Sequence, residues 1–189
     1  MNIITDKLPD SINIDGKDYR VHTDFKNWIK IGILFSDKRE NISDAIAEIL
    51  KLAYIDLPKD IKSAFYGVFK FYKGFSDEKT EEDDGVHKKS VFSYEYDAPY
   101  IQTAFKTQYN IDLQNEKMHW FKFLAYFKSL DENVMLMKII GYRCADLTKI
   151  KDKSQKSFMR KMKRLYALPD KRTESEKEAE IIDALNILF

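Results

Sequence analysis

The stretch that most constrains the fold is a run of large apolar side chains near the middle of the chain, at residues 118–130. Its members are Trp120, Phe121, Phe123, Leu124, Tyr126 and Phe127. At 3.6 residues per turn these side chains surround most of a helix, and such a helix is buried on several sides. The run is shorter than a membrane span, and lysines interrupt it, so it is not expected to cross a membrane. The sequence therefore predicts a central helix around which the other elements pack.

A β-hairpin is predicted near the N-terminus. Asp15-Gly16 lies between two short alternating segments, residues 12–14 and 19–21, and this dipeptide favours a two-residue turn with positive φ at both positions. From residue 23 onward the apolar residues recur at helical spacing instead. The predicted fold class is therefore mainly α. We expect a compact multi-helix domain over residues 1–169, with the small N-terminal β-hairpin as a minor α+β component.

Helix boundaries follow from the capping residues. The pattern predicts helices that begin near residues 24, 41, 58 and 97, a pair within 118–143 and a basic helix over about 152–168. Asp97 is expected to cap the helix that follows it. Ser129 and Glu132 have the spacing of a capping box, which would separate the two central helices.

Composition narrows the class of protein. The chain has 189 residues, of which 44% are hydrophobic and 33% charged, so a core can form without disulfides. The formal net charge of +1 argues against a chain that mainly coats nucleic acid. No apolar stretch approaches the roughly 18 residues of a membrane span, and the first residues lack the pattern of a secretory signal. We therefore expect a cytoplasmic protein that does not bind a membrane.

Residues that could carry chemistry are few and scattered. Cys144 is the single cysteine, and we expect it to be a small buried or half-buried hydrophobe. His22, His87 and His119 are far apart and lack the spacing of metal ligands. Phosphate-loop and catalytic-serine motifs are also missing from the sequence. The sequence therefore predicts no enzyme, no cofactor and no metal site.

An acidic segment interrupts the helical pattern at residues 76–90. It has almost no apolar side chains and is predicted to be a flexible, solvated loop. Cation binding is the alternative. The carboxylates do not follow the alternating register of a calcium-binding loop, which favours the simpler interpretation.

The basic helix is the first candidate for a binding surface. Residues 143–172 carry eleven Lys or Arg against three Asp. Its apolar stripe is formed by Phe158, Met159, Met162, Leu165 and Tyr166. The cationic side, with Arg160, Lys163 and Arg164, could be a solvated face, a docking face for an acidic protein or a nucleic-acid site. Without aromatic residues among these cations, the stacking that a single-strand binder uses is absent.

The last twenty residues are the second candidate. Residues 170–189 follow Pro169 and are predicted to form an amphipathic helix, with Thr173 and Glu176 as a capping box. This helix could dock on its own domain or mediate oligomerisation. Across both candidates, the predicted protein-binding residues are Arg160, Lys163, Arg164, Ile181, Leu185, Leu188 and Phe189.

A series of short motifs resembles the bacteriophage Gp-fifteen family of siphophages and prophages of Gram-positive bacteria. In the first half the motifs are Leu8-Pro9, Ile14-Asp15-Gly16-Lys17, Thr23-Asp24-Phe25 and Trp28. In the second half they are Tyr94-Glu95-Tyr96-Asp97, Tyr109-Asn110-Ile111-Asp112-Leu113, His119-Trp120-Phe121-Lys122-Phe123, Gly141-Tyr142-Arg143, Lys149-Ile150-Lys151-Asp152-Lys153 and the run from Arg160 to Pro169. The resemblance covers nearly the whole chain up to Pro169 and depends on the order of many weak matches.

The resemblance implies a tail-morphogenesis protein in the cytoplasm of an infected or lysogenic bacterium. The family is encoded next to the tape-measure protein and is described as a tail-assembly chaperone, so the implied partners are the tape-measure protein or other tail proteins. A homo-oligomer, a structural subunit of the tail and a nucleic-acid-binding regulator are the alternatives. The near-neutral net charge disfavours nucleic acid.

Overall fold

The computed structural model describes residues 2–36, 42–74 and 91–169. Within them it contains one antiparallel hairpin and seven helices, which confirms the mainly α fold with an N-terminal hairpin. The elements are β1 (Ser11–Ile14), β2 (Lys17–Arg20), α1 (Phe25–Ser36), α2 (Ile42–Ala53), α3 (Ile61–Lys73), α4 (Ala98–Tyr109), α5 (Trp120–Lys128), α6 (Met135–Cys144) and α7 (Lys153–Leu165). The predicted acidic loop at residues 76–90 and the predicted helix at residues 170–189 lie outside the described residues.

The hairpin turns at the predicted dipeptide. Asp15 has φ of 49° and Gly16 has φ of 82°, so both turn residues take the left-handed region that a tight hairpin requires. The Asn13 carboxamide accepts a hydrogen bond from the Gly16 backbone N–H at 3.1 Å, which closes the turn. Ile12 points from β1 to α3, where a Cβ at Gly67 would come within 2.7 Å of its Cγ2. The absence of a side chain at Gly67 therefore lets the hairpin lie directly on α3.

The central helix α5 is buried as predicted. Trp120 and Phe123 are fully buried, and Phe121 and Leu124 are buried beside them. The Phe123 ring stacks between Phe25 and Phe105, with its centroid 5.0 Å from each. The Trp120 indole N–H donates to the Tyr72 carbonyl at 3.0 Å, so its one polar atom is satisfied. Aromatic contacts thus join α5 to α1, α3 and α4.

Backbone hydrogen bonds fix where α5 begins. The Trp120 N–H donates to the Thr23 carbonyl at 2.7 Å, and the Phe25 N–H donates to the Met118 carbonyl at 2.9 Å. His119, between them, caps α5 because its Nδ1 accepts from the Phe121 N–H at 3.0 Å. Two segments far apart in the chain are therefore locked together at the start of the central helix.

Two tyrosines lie between α1 and the central helix. Burial raises the pKa of Tyr72 to about 12, and burial also raises the pKa of Tyr94, to which Tyr72 is hydrogen-bonded. Gly32 of α1 faces them, and a Cβ there would come within 2.5 Å of the Tyr72 hydroxyl oxygen. This hydroxyl pair is therefore a polar contact inside an otherwise apolar core.

Two predicted helix starts are wrong. The expected capping box at Ser129 and Glu132 does not form, and α6 begins at Met135 after Val134. Ser129 instead caps the C-terminal end of α5, where its N–H makes the last i to i−4 hydrogen bond of that helix, to the Ala125 carbonyl at 3.2 Å. The third helix begins at Ile61 rather than near residue 58. Asp60 sets that start, because its side chain accepts from two backbone N–H groups of the first turn.

None of the helices described has the length and apolar content that a membrane crossing requires.

Candidate protein-binding surface

The position of α7 is set by Arg143, near the end of α6. Its side chain is 10% exposed and makes a two-pronged ion pair with Asp97, with Nη1–Oδ2 at 2.6 Å and Nη2–Oδ1 at 2.8 Å. Its Nε donates to the Tyr166 carbonyl at 2.6 Å, and Nη1 also donates to the Val91 carbonyl at 3.1 Å. One guanidinium therefore connects the start of α4, the turn before it and the end of α7.

Asp97 differs from its predicted role. It lies at the capping position of α4, but its side chain makes no capping hydrogen bond to that helix. Instead both carboxylate oxygens bind Arg143, and Oδ2 also accepts from the Ser93 N–H at 2.9 Å. The carboxylate is only 1% exposed, and a guanidinium with two parallel bonds compensates its charge better than the first turn of a helix would.

Helix α7 begins as the sequence predicts and ends earlier. Asp152 caps it, accepting from the Gln155 N–H at 2.7 Å. The helix stops at Leu165, three residues before the predicted end; Tyr166 caps it, and the Tyr166 carbonyl accepts from Arg143. Pro169 also disfavours helical geometry at the residue before it.

The contact of α7 with α6 involves one side of the helix. Tyr142 of α6 stacks on Tyr166, with ring centroids 5.9 Å apart, and meets the edge of Phe158 at 6.3 Å. Met159 and Met162 are half-buried on this side. The Lys163 ammonium donates to the Ala145 carbonyl at 2.7 Å. Lys163, one of the predicted partner-binding residues, therefore also takes part in the packing of α7 on the domain.

The rest of the apolar stripe remains open. Phe158 is 51% exposed and Leu165 is 64% exposed, and no residue of α7 is buried. The two side chains are seven residues apart and therefore lie on the same side of the helix. Tyr142 of α6 contacts the rings of Phe158 and Tyr166, which leaves Phe158 partly uncovered and Leu165 mostly uncovered. We call this uncovered side, defined by Phe158, Lys161 and Leu165, the open side of α7.

Positive charge borders the open side. Helix α7 contains six Lys or Arg and no acidic residue. Arg160 and Arg164 are exposed, as the sequence predicted for partner-binding residues, and Lys161 is exposed next to the apolar pair. Among the described residues no carboxylate forms an ion pair with any of these three cations. The remaining predicted binding residues lie outside the described residues: Ile181, Leu185, Leu188 and Phe189.

A thiol and an imidazole with catalytic potential lie in different environments, one exposed and one half-buried. Cys144 is exposed, which corrects the expectation of a buried or half-buried thiol; it sits in the last turn of α6, where α7 does not cover it. His119 is half-buried and has both ring nitrogens engaged, with Nε2 2.9 Å from the Pro9 carbonyl oxygen. No group of three or more potential metal ligands occurs in the described ranges.

A groove lies between β1 and α3. It is an open groove of about 680 Å³, with Asp15 at the turn of the hairpin and Lys62, Tyr66 and Lys70 on the helix. The Lys70 ammonium lies 4.6 Å from the centre of the Tyr66 ring. The groove is therefore a shallow, mixed-charge surface, with neither a histidine nor a cysteine in its lining.

Comparison with known proteins gives one positive result. The family model described as "Bacteriophage Gp15 protein" matches residues 4–168. No curated protein and no solved structure matches the chain significantly. Three of the motifs that carry the resemblance, at residues 94–97, 141–143 and 160–169, meet at the Arg143 side chain. The match spans most of the chain, from ahead of the hairpin to beyond α7, and the chain therefore belongs to the Bacteriophage Gp15 protein family.

Proposed function

We propose that this phage-family protein is a tail-assembly chaperone that holds the tape-measure protein through the open side of α7. The observation that carries the proposal is the exposure of Phe158 and Leu165 beside uncompensated positive charge. An apolar side of this kind is suited to an amphipathic helix, whose apolar face it covers and whose acidic residues it attracts. A long helical client offers many such segments. The expected site of action is the cytoplasm of the infected bacterium.

The proposed mechanism uses contact alone. A holder must bind strongly enough to prevent self-association of the client and weakly enough to be displaced when the tail tube forms. A few exposed apolar side chains with a cationic rim suit this requirement, because exposed charge pairs speed association and add little net affinity. The proposal includes no catalytic step. Its support is that both ring nitrogens of His119 already have backbone partners and that no group of three or more potential metal ligands occurs among the described residues.

Co-expression with the tape-measure protein encoded by the same phage tests this function. We expect the tape-measure protein to become soluble and to co-purify with the chain. If it is equally soluble alone, or does not co-purify, the chaperone function is wrong. Purified phage particles distinguish the structural alternative, because a chaperone is absent from them and a tail subunit is present in fixed stoichiometry.

A further inference from the structure

The two edges of the N-terminal hairpin differ in how their backbone groups are paired. On the outer edge of β2, the Arg20 carbonyl accepts from the Ile55 N–H at 3.0 Å, and a bridge between Val21 and Tyr54 continues the contact. The chain after α2 therefore covers that edge. Among the described residues β1 has β2 as its one strand partner, so the outer edge of β1 is available for a further strand.

The register of the hairpin shows which backbone groups of β1 point to this outer edge. The Val21 N–H donates to the Asp10 carbonyl at 3.0 Å, and hydrogen-bonded pairs alternate with non-hydrogen-bonded pairs along an antiparallel ladder. Ser11 and Asn13 therefore occupy non-hydrogen-bonded positions, and their N–H and C=O groups point away from β2. Outside the hairpin, no hydrogen bond to these groups forms within the described parts of the chain. An extended peptide has N–H and C=O groups at the matching spacing.

Helix α3 forms the second wall beside this edge. Residues 11–15 line one side of the groove of about 680 Å³, and residues of α3 from Lys62 to Phe71 line the other. The span from Lys62 to Lys70 measures about 12 Å at 1.5 Å per residue, and residues 11–15 span about 13 Å at 3.3 Å per residue. Because both spans line the same groove, a strand added to β1 would lie along α3.

Exposed side chains of α3 define the chemistry of such a strand. Lys62, Tyr66 and Lys70 are exposed and four residues apart, so they form a row along one side of the helix. Successive members of the row are about 6 Å apart along the axis, and alternate residues of a strand are about 6.6 Å apart. Three alternate side chains of an added strand therefore meet the three members in order. Carboxylates match the two lysines, and an apolar or aromatic side chain matches Tyr66.

A second copy of this hairpin matches the row less well. Residues 11–14 carry no carboxylate, and Asp15 is the one acidic residue in the lining of the groove. In a pair of hairpins joined at β1, at most one of the two lysines would therefore meet an opposite charge. The row favours an acidic segment of a different protein.

We propose that the outer edge of β1 and the row of Lys62, Tyr66 and Lys70 bind an extended segment of another protein by strand addition. The segment has acidic, apolar and acidic side chains at three alternate positions. Hydrogen bonds to the backbone of Ser11 and Asn13 provide affinity, and the row provides selectivity. This surface is separate from the open side of α7, so the chain has one surface for a helix and another for a strand.

Fluorescence anisotropy with defined peptides tests strand addition. The probe is a fluorescein-labelled, amidated peptide of sequence TETFTET, and the control TKTFTKT reverses its charges. At low salt we expect the full chain to bind the acidic peptide at least about tenfold more tightly than the control. Two further peptides are N-methylated at one or the other set of alternate residues. Since one set of N–H groups faces β1, one of these peptides should lose binding and the other should keep most of it.

Variants of the chain test the same contact from the other side. Lys62→Glu with Lys70→Glu should weaken binding at least about tenfold, whereas Lys30→Glu with Lys51→Glu, at exposed lysines outside the groove, should leave it unchanged. Ser11→Pro removes an outward N–H and no bond to β2, so binding should weaken about fivefold, the loss of one hydrogen bond. Ser11→Ala keeps this N–H and is the control.

Other outcomes overturn the proposal. Absence of binding at millimolar peptide, or equal binding of the acidic and basic peptides, means that the row does not select an acidic strand. Equal effects of the two N-methylation patterns mean that the peptide does not bind as a strand. Dimers of the chain that exclude the peptide and are lost in Ser11→Pro mean that a second copy occupies the edge. The peptides are measured without the tape-measure protein, so this result and the co-expression result are independent.

Discussion

The guanidinium of Arg143 and the carboxylate of Asp97, 46 residues apart in sequence, form a buried two-pronged ion pair at 2.6 and 2.8 Å. The same guanidinium binds the Tyr166 carbonyl, where α7 ends. The ion pair therefore determines the position of α7, the proposed binding helix, although the pair itself is buried and is not part of the open side of α7. Its energetic role differs from that of surface pairs such as Arg20–Asp56, whose partners are both exposed.

Replacement of Arg143 by Met is expected to destabilise the domain by about 3–5 kcal/mol, because a buried carboxylate at Asp97 is left without its partner. Arg143→Lys should destabilise the domain less than Arg143→Met does. An ammonium keeps the positive charge beside Asp97 but cannot make the two parallel bonds. Urea denaturation of both variants measures these changes. Arg20→Met, at the exposed pair, is the control and should cost less than about 1 kcal/mol. A loss of stability for Arg143→Met as small as that for Arg20→Met would show that the ion pair is dispensable.

His119 is expected to make stability depend on pH. Burial lowers the pKa of its imidazole below the ordinary value of 6.5, and this effect outweighs the hydrogen bond to Pro9 and the charge of Asp10. Because Nδ1 accepts from the Phe121 N–H, the folded state favours the neutral ring. The unfolded chain therefore takes up the proton first as pH falls. The contribution of His119 to the free energy of unfolding is complete above about pH 6.5 and is lost as pH falls through the folded-state pKa of His119.

Chemical denaturation between pH 8 and pH 5 measures this dependence. His119→Asn can still accept at the start of α5 but does not titrate, so it should flatten the stability profile in this window. If His119→Asn loses stability with pH as steeply as the parent, the titrating group is another residue.

Two glycine substitutions are expected to have opposite effects. Gly32→Ala places a Cβ within 2.5 Å of the buried Tyr72 hydroxyl oxygen, so the Tyr72–Tyr94 pair must shift, at a cost of about 1–3 kcal/mol. Gly141→Ala in α6 meets nothing within 4 Å and should stabilise the helix by about 0.5–1 kcal/mol. Thermal unfolding distinguishes the two. A stabilising Gly32→Ala would contradict the tight contact between α1 and Tyr72.

Substitutions of the α7 cations are expected to have two different effects, one on binding and one on stability. Arg160→Glu with Arg164→Glu should weaken binding of the tape-measure protein at low salt and leave stability nearly unchanged, because both side chains are exposed. Lys163→Met should instead reduce stability, since the Ala145 carbonyl loses its partner. Binding assays at two salt concentrations, together with urea denaturation, measure both effects. Equal effects of the two changes on stability would contradict this division.

Local signals in the sequence predicted much of the fold. Asp15-Gly16 specifies its turn through the φ values that the two residues adopt, and Asp152 begins α7 through its side chain, which accepts from the Gln155 N–H. The burial of Trp120 follows because the apolar residues around it leave no polar face to expose. These features depend on neighbours within one or two helical turns, and sequence patterns report such neighbours well.

Features that depend on distant partners were missed. Asp97 has the position of a cap, and only the approach of Arg143 from α6 shows that its carboxylate is used elsewhere. Ser129 has the spacing of a capping box but ends a helix, because the chain around it bonds to α4 through Gln108 and Tyr109. The exposure of Leu165 could not be read from its stripe, since periodicity identifies an apolar side and not the width of the neighbour that covers it.

The central claim is that the open side of α7 is the contact surface for the tape-measure protein. The most direct test is the dissociation constant of the complex for Phe158→Asp with Leu165→Asp, compared with Ile42→Asp with Leu57→Asp. The control pair is also exposed and apolar but lies on α2 and in the loop after it, with Ile42 71% exposed. We predict at least about tenfold weaker binding, or a loss near 1.4 kcal/mol, for the α7 variant and no change for the control. Equal affinity of the α7 variant and the parent chain would contradict the claim.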